Sequence, residues 1–317
     1  MKKVSEEEII RIFQAKFGNK KFVSEDVEFF SLGRSLIAFN IDSLVESTDI
    51  PPGLNLENAA RKSIVACVSD FAAKGIQPKY GFVSMIIPKN YSKNDIMQLA
   101  KGFAKASKEF RFKILGGDTN AGKELALNVC LIGDTTSIVK RKNANKGDSI
   151  FVTGPFGYTA AGLKILLQKK KSQKSFRDKA KNAVFKPKSR LDFGVAIRNS
   201  ITSSMDSSDG LSTTLNEMAK QSKKKFLIEK IPTRSDVINF AKVNRIKSID
   251  LVFNGGEEYE FVFTASQKNR QKIINISKKL RIPVIEIGRV VSGKGVKFES
   301  NEKSFVIKDE GWHHFRS

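Results

Sequence analysis

Apolar positions along this chain recur in two rhythms, and the switches between them mark its elements. Ser5 followed by Glu8 has the form of a capping box, and Ile9, Ile10, Ile12, Phe13 and Phe17 then share a helical face that ends at Gly18. Residues 22–30 and 36–41 read as short strands. Asn55 can cap a second helix, with Leu56, Ala60, Ile64, Cys67 and Phe71 on one side and Gly75 as its stop. A strand over 80–88 closes at a proline, and Ser92 opens a helix with Ile96, Leu99, Phe103 and Ala106 inward. Residues 124–133 alternate as a half-buried strand does. The polar, turn-rich segment 141–148 predicts a domain boundary, giving an N-terminal domain over 1–140 and a C-terminal domain over 141–317. Beyond it the pattern predicts a strand over 150–154, helices from Tyr158, near 189–199 and near 210–221, and strands near 226–229 and 259–264. A helix over 266–280 and strands after Pro283 and Gly295 complete it. Strands and helices mix in both halves, so two α+β domains with mixed sheets are expected rather than one doubly wound sheet.

Composition narrows the class. A chain of 317 residues, 40% hydrophobic, can bury two cores. It has no signal-peptide-like run and no apolar stretch of membrane-spanning length, which argues against a secreted or membrane protein. Cys67 and Cys130 are the only cysteines and lie in apolar patterns; two buried thiols in a reducing cytoplasm is the simpler reading, with a disulfide left open. The only histidines, His313 and His314, sit near the C-terminus, which counts against zinc sites and His-based triads. The net charge of +23 suggests an anionic partner, but the lysines are scattered and lack interleaved aromatics. A solvated surface is the better reading, and a nucleic-acid partner is not expected.

Against that basic background the acids collect in one kind of place. The segments around Asp42, Asp118 and Asp206 each have the form of an apolar strand ending in a carboxylate. Glu25, Asp26, Asp70, Asp209 and the pair Glu257 and Glu258 also fall outside helix surfaces. If several converged, repulsion would be severe: two carboxylates 4 Å apart repel by about 4 kcal/mol at an effective dielectric near 20. A hard divalent cation removes that penalty, and Mg²⁺ favours carboxylates together with phosphate oxygens. Gly116, Gly117, Gly210, Gly255 and Gly256 beside the acids permit close backbone approach to a phosphate. A blander reading stands beside this: Asp206 or Ser208 could simply cap the helix near 210–221, and GGD could be an ordinary turn. No P-loop, dinucleotide-binding or protein-kinase signature is present.

Taken in order, the motifs resemble the thiamine-monophosphate kinase family, within the superfamily of aminoimidazole ribonucleotide synthetase. Its carriers are IDSLVE (41–46), VSDFAAKGIQP (68–78), ILGGDTNAG (114–122), KGDSIFVTGPFGYTAAGL (146–163), MDSSDGLS (205–212), NGGEEYEFVFT (254–264), IGRV (287–290) and GWHHF (311–315). The resemblance implies a ferredoxin-like N-terminal domain that pairs into a homodimer through an interface β-barrel, followed by an α+β C-terminal domain. It implies ATP as co-substrate, several Mg²⁺ ions, and direct in-line transfer of a phosphoryl group to thiamine monophosphate. Residue by residue, it implies metal ligation by Asp26, Asp42, Asp70, Asp118, Asp206 and Asp209, with Asp118 and Asp206 catalytic. ATP contacts fall on Gly117, Asp118, Arg141 and Ser208, and substrate contacts on Asp49, Glu257 and Trp312, the only tryptophan. An always-charged arginine fork suits a phosphate, and an indole face suits a cationic ring.

The chain departs from the family pattern in places. The family's GDD is SED at 24–26, and its STD is Asn40, Ile41, Asp42. The histidine expected to touch substrate falls on Asp49, GEDYE has become GEEYE, and PxPR is reduced to PKSR at 187–190. These departures leave two alternatives open: superfamily ATP chemistry on a different acceptor, or a non-catalytic nucleotide-binding dimer.

Overall fold

The computed structural model describes residues 4–19, 22–313 and 315, and holds two mixed sheets side by side. The N-terminal half runs α1 (Glu6–Lys16), β1 (Glu28–Leu32), β2 (Ser35–Val45), a single turn α2 (Glu46–Asp49), α3 (Leu56–Lys74), β3 (Pro78–Pro88), α4 (Lys93–Glu109), β4 (Lys113–Gly122) and β5 (Ala126–Thr135). Its sheet has the order β1-β2-β5-β3-β4, with only β3 and β4 parallel. Period-2 alternation turns Leu127, Val129 and Leu131 of β5 into the core beneath α3 and α4. The opposite face stays open and carries exposed Ile41, Tyr80, Phe82, Ile86 and Leu115. The five strands form an open sheet within one chain, so the expected barrel is not closed here.

The C-terminal half runs β6 (Ser149–Val152), α5 (Tyr158–Gln168), α6 (Lys174–Phe185), α7 (Leu191–Ile197), β7 (Ser203–Ser207), α8 (Leu211–Ser222), β8 (Lys225–Ile228), α9 (Ser235–Val243), α10 (Ser248–Phe253), β9 (Glu260–Ala265), α11 (Arg270–Leu280), β10 (Ile285–Val291), β11 (Gly295–Glu299) and β12 (Ser304–Val306). Its sheet has the order β12-β11-β8-β10-β6-β9-β7, with β8 and β11 parallel. The mixed α+β architecture is thus as expected. Among the described residues no helix is long and apolar enough to cross a membrane, and both cysteines are free thiols.

Several local expectations fail for physical reasons. Residues 22–27 form no strand; they are an arm that carries Glu25 and Asp26 inward before β1 begins at Glu28. GGD is no turn, because β4 runs straight through it beside β3, where a Cβ on Gly117 would lie 1.7 Å from the Val83 carbonyl oxygen. Neither Asp206 nor Ser208 caps α8: Gly210 holds the N-cap position without a side-chain bond, and Asp206 sits in β7. Helix α6 was not anticipated, since its inward stripe of Phe176, Ala180 and Val184 is thin among lysines. Helices α9 and α10 were missed as well.

Helix α3 organises the whole. Asn55 caps it by accepting the Asn58 N–H at 2.9 Å, and Gly75 ends it in the left-handed region at φ 67°. It is buried on nearly all sides, against the N-terminal sheet and against β7, β9 and α7 of the C-terminal half. Close approach to α7 needs Gly194, where a Cβ would meet the Ala72 carbonyl oxygen at 1.9 Å. In the other half, α5 has no cap of its own, and half-buried Glu258 supplies one by accepting from Gly157 N–H at 2.7 Å and from Thr159 Oγ1 at 3.2 Å.

Two outcomes follow. Gly194→Ala separates α3 from α7 and lowers unfolding stability by about 1–3 kcal/mol in chemical denaturation. Burial pushes the Glu258 carboxyl up to about 7 from 4.5. Between those two values the folded state binds more protons at this position than the unfolded state does. Its contribution to stability therefore falls as pH rises from about 4.5 to 7. Glu258→Gln removes that part of the slope in melting curves across the range.

Candidate active site

Four residues of α3 spaced by four, Lys62, Ala66, Asp70 and Lys74, form a ridge along an otherwise apolar helix. This ridge faces the seam between the two halves. Asp26 reaches it from the arm, Asp42 from β2 and Asp206 from β7. One carboxylate oxygen each from Asp26, Asp70 and Asp206 lie within 4.8 Å of one another. Ser69 donates to Asp206 Oδ2 at 2.8 Å, and Asn40 Nδ2 donates to Asp70 Oδ2 at 2.8 Å and to the Cys67 carbonyl at 3.1 Å.

The three acids are not electrostatically alike. Burial pushes Asp70 well above the usual carboxylate range, reinforced by the charges of Asp206, Asp42 and Asp26. Burial and the charge of Asp26 likewise push Asp206 up to about 8, and burial raises Asp42. Burial would raise Asp26 too, but Arg141 and Lys74 outweigh it and hold it low. A carboxylate set this close, buried and of hard oxygen donors fits a divalent cation such as Mg²⁺.

Beside the cluster opens a cleft of about 490 Å³ between the halves, lined by Asp42, Asp49, Asp70, Asp206, Asp209 and Glu257. Lys62, Ser208 and Trp312 also line it. A larger hollow of about 780 Å³ lies away from these acids, against Arg61, Lys108 and Lys188, and its open, polar walls gather none of the candidate residues. Glu257 pairs with the buried Lys62 ammonium, and Lys62 Nζ also donates to the Asp49 carbonyl at 2.8 Å. Burial still raises the Glu257 carboxyl despite Lys62. Glu257 takes φ 61°, a left-handed backbone for a non-glycine residue, and its N–H donates to the Ser208 carbonyl at 2.6 Å. Trp312 is fixed beside the same loop by its N–H to the Asp209 carbonyl at 2.8 Å, leaving it 56% exposed at the cleft. His314, in the GWHHF segment, lies outside the described residues.

The structure therefore gathers Asp26, Asp42, Asp70, Asp206, Asp209, Ser208, Asp49, Glu257 and Trp312 around one seam. It does not bring Gly117 and Asp118 there. Asp42 pairs with Val129, Val129 with Val83 and Val83 with Gly117, so three strand spacings, about 14 Å, separate Asp42 from the GGD row. Asp118 is exposed on the edge strand, accepting from Asn120 Nδ2 at 2.7 Å. Arg141 is placed differently from expectation as well. Its Nε donates to Asp26 Oδ1 at 2.7 Å, Nη2 to the same oxygen, and Nη1 to Ser24 Oγ at 3.1 Å, so the fork faces a carboxylate rather than a phosphate.

Three of the unusual positions gain an explanation. In β2, alternation sends Asn40 inward, 7% exposed, to orient Asp70, while Ile41 points out, 70% exposed, onto the open sheet face. The Asp49 carboxylate accepts the Val45 N–H at 2.7 Å and the Thr48 hydroxyl at 2.9 Å, closing the α2 turn at the cleft wall. Sequence reasoning missed Lys62 and Lys74. The signal was present: lysines on the same four-residue ridge as Asp70, in a helix otherwise too apolar to solvate them.

Comparisons with known proteins identify the family. Residues 25–135 match the family model described as AIR synthase related protein, N-terminal domain, and residues 145–301 match that of the C-terminal domain. Over 316 residues the chain is 57% identical to the thiamine-monophosphate kinase of Nitrosopumilus maritimus (strain SCM1), covering 100% of each. It is 34% identical to the thiamine-monophosphate kinase of Pyrococcus horikoshii, covering 100% of this chain and 98% of that one. The solved structure of AaThiL complexed with AMPPCP and TMP superposes with a TM-score of 0.87 at 26% identity, over 98% of this chain and 97% of that one. A HypE–HypF complex, at 20% identity and a TM-score of 0.78, shares the fold. The chain belongs to the AIR synthase related family, and within it to the thiamine-monophosphate kinases.

Proposed function

We propose that this chain transfers the γ-phosphoryl group of ATP to the phosphate of thiamine monophosphate, giving thiamine diphosphate and ADP, with Mg²⁺. The observation that carries it is the acidic cleft against Asp70 and Asp206, in a chain whose relative AaThiL is complexed with AMPPCP and TMP. Phosphoryl transfer needs positioning and charge neutralisation more than a nucleophilic side chain, so a site of carboxylates without histidine or cysteine is adequate. Asp70 and Asp206, flanked by Asp42 and Asp209, would hold Mg²⁺; Asp26 borders them but is already ion-paired. Bound there, Mg²⁺ would neutralise phosphate oxygens.

The remaining residues divide by charge. Glu257, Asp49 and Trp312 offer two carboxylates and an indole face to a cationic heteroaromatic ring, while Lys62 supplies the cleft's buried positive charge. Ser208, which lines the cleft at the start of the loop into α8, would contact the nucleotide. The exposed apolar face of the N-terminal sheet pairs with a second copy, which brings Gly117 and Asp118 of one chain to the acidic cleft of the other. The two buried or half-buried thiols are those of a cytoplasmic protein. Asn40 and Ile41 do not require another acceptor, since one orients Asp70 and the other faces away from the cleft.

Purified chain with ATP, thiamine monophosphate and Mg²⁺ forms thiamine diphosphate, and a chelator stops it; absence of product from folded protein sinks the reading. Asp206→Asn lowers kcat by roughly a thousandfold, the loss of several kcal/mol of charge stabilisation. Asp118→Asn is as inactive alone, but dissociated and mixed with Asp206→Asn it regains about a quarter of wild-type activity, since random pairing leaves one intact site in each mixed dimer. No recovery on mixing would place Asp118 outside a shared site. Trp312→Ala raises KM for thiamine monophosphate about 5- to 30-fold, the equivalent of a 1–2 kcal/mol cation–π contact, with kcat nearly unchanged.

A further inference from the structure

Lys74 is 0% exposed and sits one turn after Asp70 on the same ridge. A buried ammonium is costly unless each of its three protons finds an acceptor. Here it donates to Glu25 Oε2 at 2.7 Å and to the Ser204 carbonyl at 3.1 Å, and it forms an ion pair with Asp26 Oδ2 at 2.9 Å. Glu25 also accepts the Arg141 backbone N–H at 3.1 Å, and the Arg141 fork holds the other oxygen of Asp26. On this side of the cluster two carboxylates, Glu25 and Asp26, thus meet two protein cations, Lys74 and Arg141. On the other side, among the described residues, no lysine or arginine pairs with Asp42, Asp70 or Asp206. The acidic cluster has one half neutralised by the protein and one half that is not.

We propose that Lys74 is a resident cation that takes the position at Asp26 a divalent ion would otherwise fill, so that this chain binds its divalent ions through Asp70, Asp206 and Asp42 without using Asp26. The assignment rests on the metal-binding reading of the site. Lys74 also ties three elements together: the Glu25–Asp26 arm, α3 and β7 through Ser204, two residues before Asp206. It is a positioning residue, since it touches the carboxylates and not the reacting atoms. Mg²⁺ or Mn²⁺ cannot replace it in the wild-type chain, because the ammonium already fills the space between Glu25, Asp26 and Ser204.

The test counts ions rather than turnover. Full-length wild type, Lys74→Met and Asp26→Asn are stripped of metal and dialysed to equilibrium against Mn²⁺ and the ATP analogue AMPPCP, and metal and nucleotide bound per chain are measured separately. Asp26→Asn is expected to bind as many Mn²⁺ ions as wild type, with affinity within threefold. Lys74→Met, which keeps the side-chain length and removes the charge, is expected to bind one Mn²⁺ more per chain. Its melting temperature should also rise further with Mn²⁺ than that of wild type. Loss of an ion in Asp26→Asn, or an unchanged ion count in folded Lys74→Met, overturns the assignment. If Lys74→Met does not fold with or without Mn²⁺, the ion count of Asp26→Asn decides alone. A wild-type chain that binds no Mn²⁺ beyond that carried by the nucleotide would overturn the metal-binding reading itself, a result distinct from either of these.

Discussion

Asp70 and Asp206 face each other at the seam of the two halves, and neither is paired with a protein cation among the described residues. Most of the architecture around the site is a response to that constraint. Ser69 and Asn40 each give one hydrogen bond to one of the pair, which holds the carboxylates in place without removing their charge. Burial pushes both carboxyls upward, with the charge of Asp206 adding to it at Asp70 and the charge of Asp26 adding to it at Asp206, so the pair is a poor structural element by itself and suits a hard cation. The fold tolerates it because α3, packed on nearly every side, gives the carboxylates no route to relax apart.

The same logic explains the contrast between surface and cleft. A chain of net charge +23 keeps most of its lysines in solvent and lines the seam between its halves with acids. The few cations that enter the seam are fully engaged: Lys62 with Glu257 and the Asp49 carbonyl, Lys74 with Glu25 and Asp26, Arg141 with Asp26. Each joins segments far apart in sequence, so the buried ion pairs fix how arm, helix and C-terminal loops meet. Buried pairs of this kind contribute little net stability but make loss of one partner expensive.

The candidate acids of the site are legible in the sequence. Asp42, Asp70 and Asp206 stand in motifs whose order along the chain carries the family, and alternation in β2 could have told Asn40 from Ile41. The GGD segment was legible as a motif but not as a location: its strand register places it about three strands from Asp42 in the same chain. Arg141 and Lys74 were opaque for another reason. A cation's partner is decided by which carboxylate the fold carries to it, and Glu25 and Asp26 come from an arm whose path has no periodic signal.

The sequence by itself determined the class of chemistry and the mixed α+β class, because these depend on residue type and short-range spacing. Only the tertiary structure decided which acids meet, which are neutralised by lysine or arginine, and which are left without a protein cation. Those outcomes depend on distances of a few ångströms between segments up to two hundred residues apart, across which Coulomb energies change steeply while local pattern carries no information.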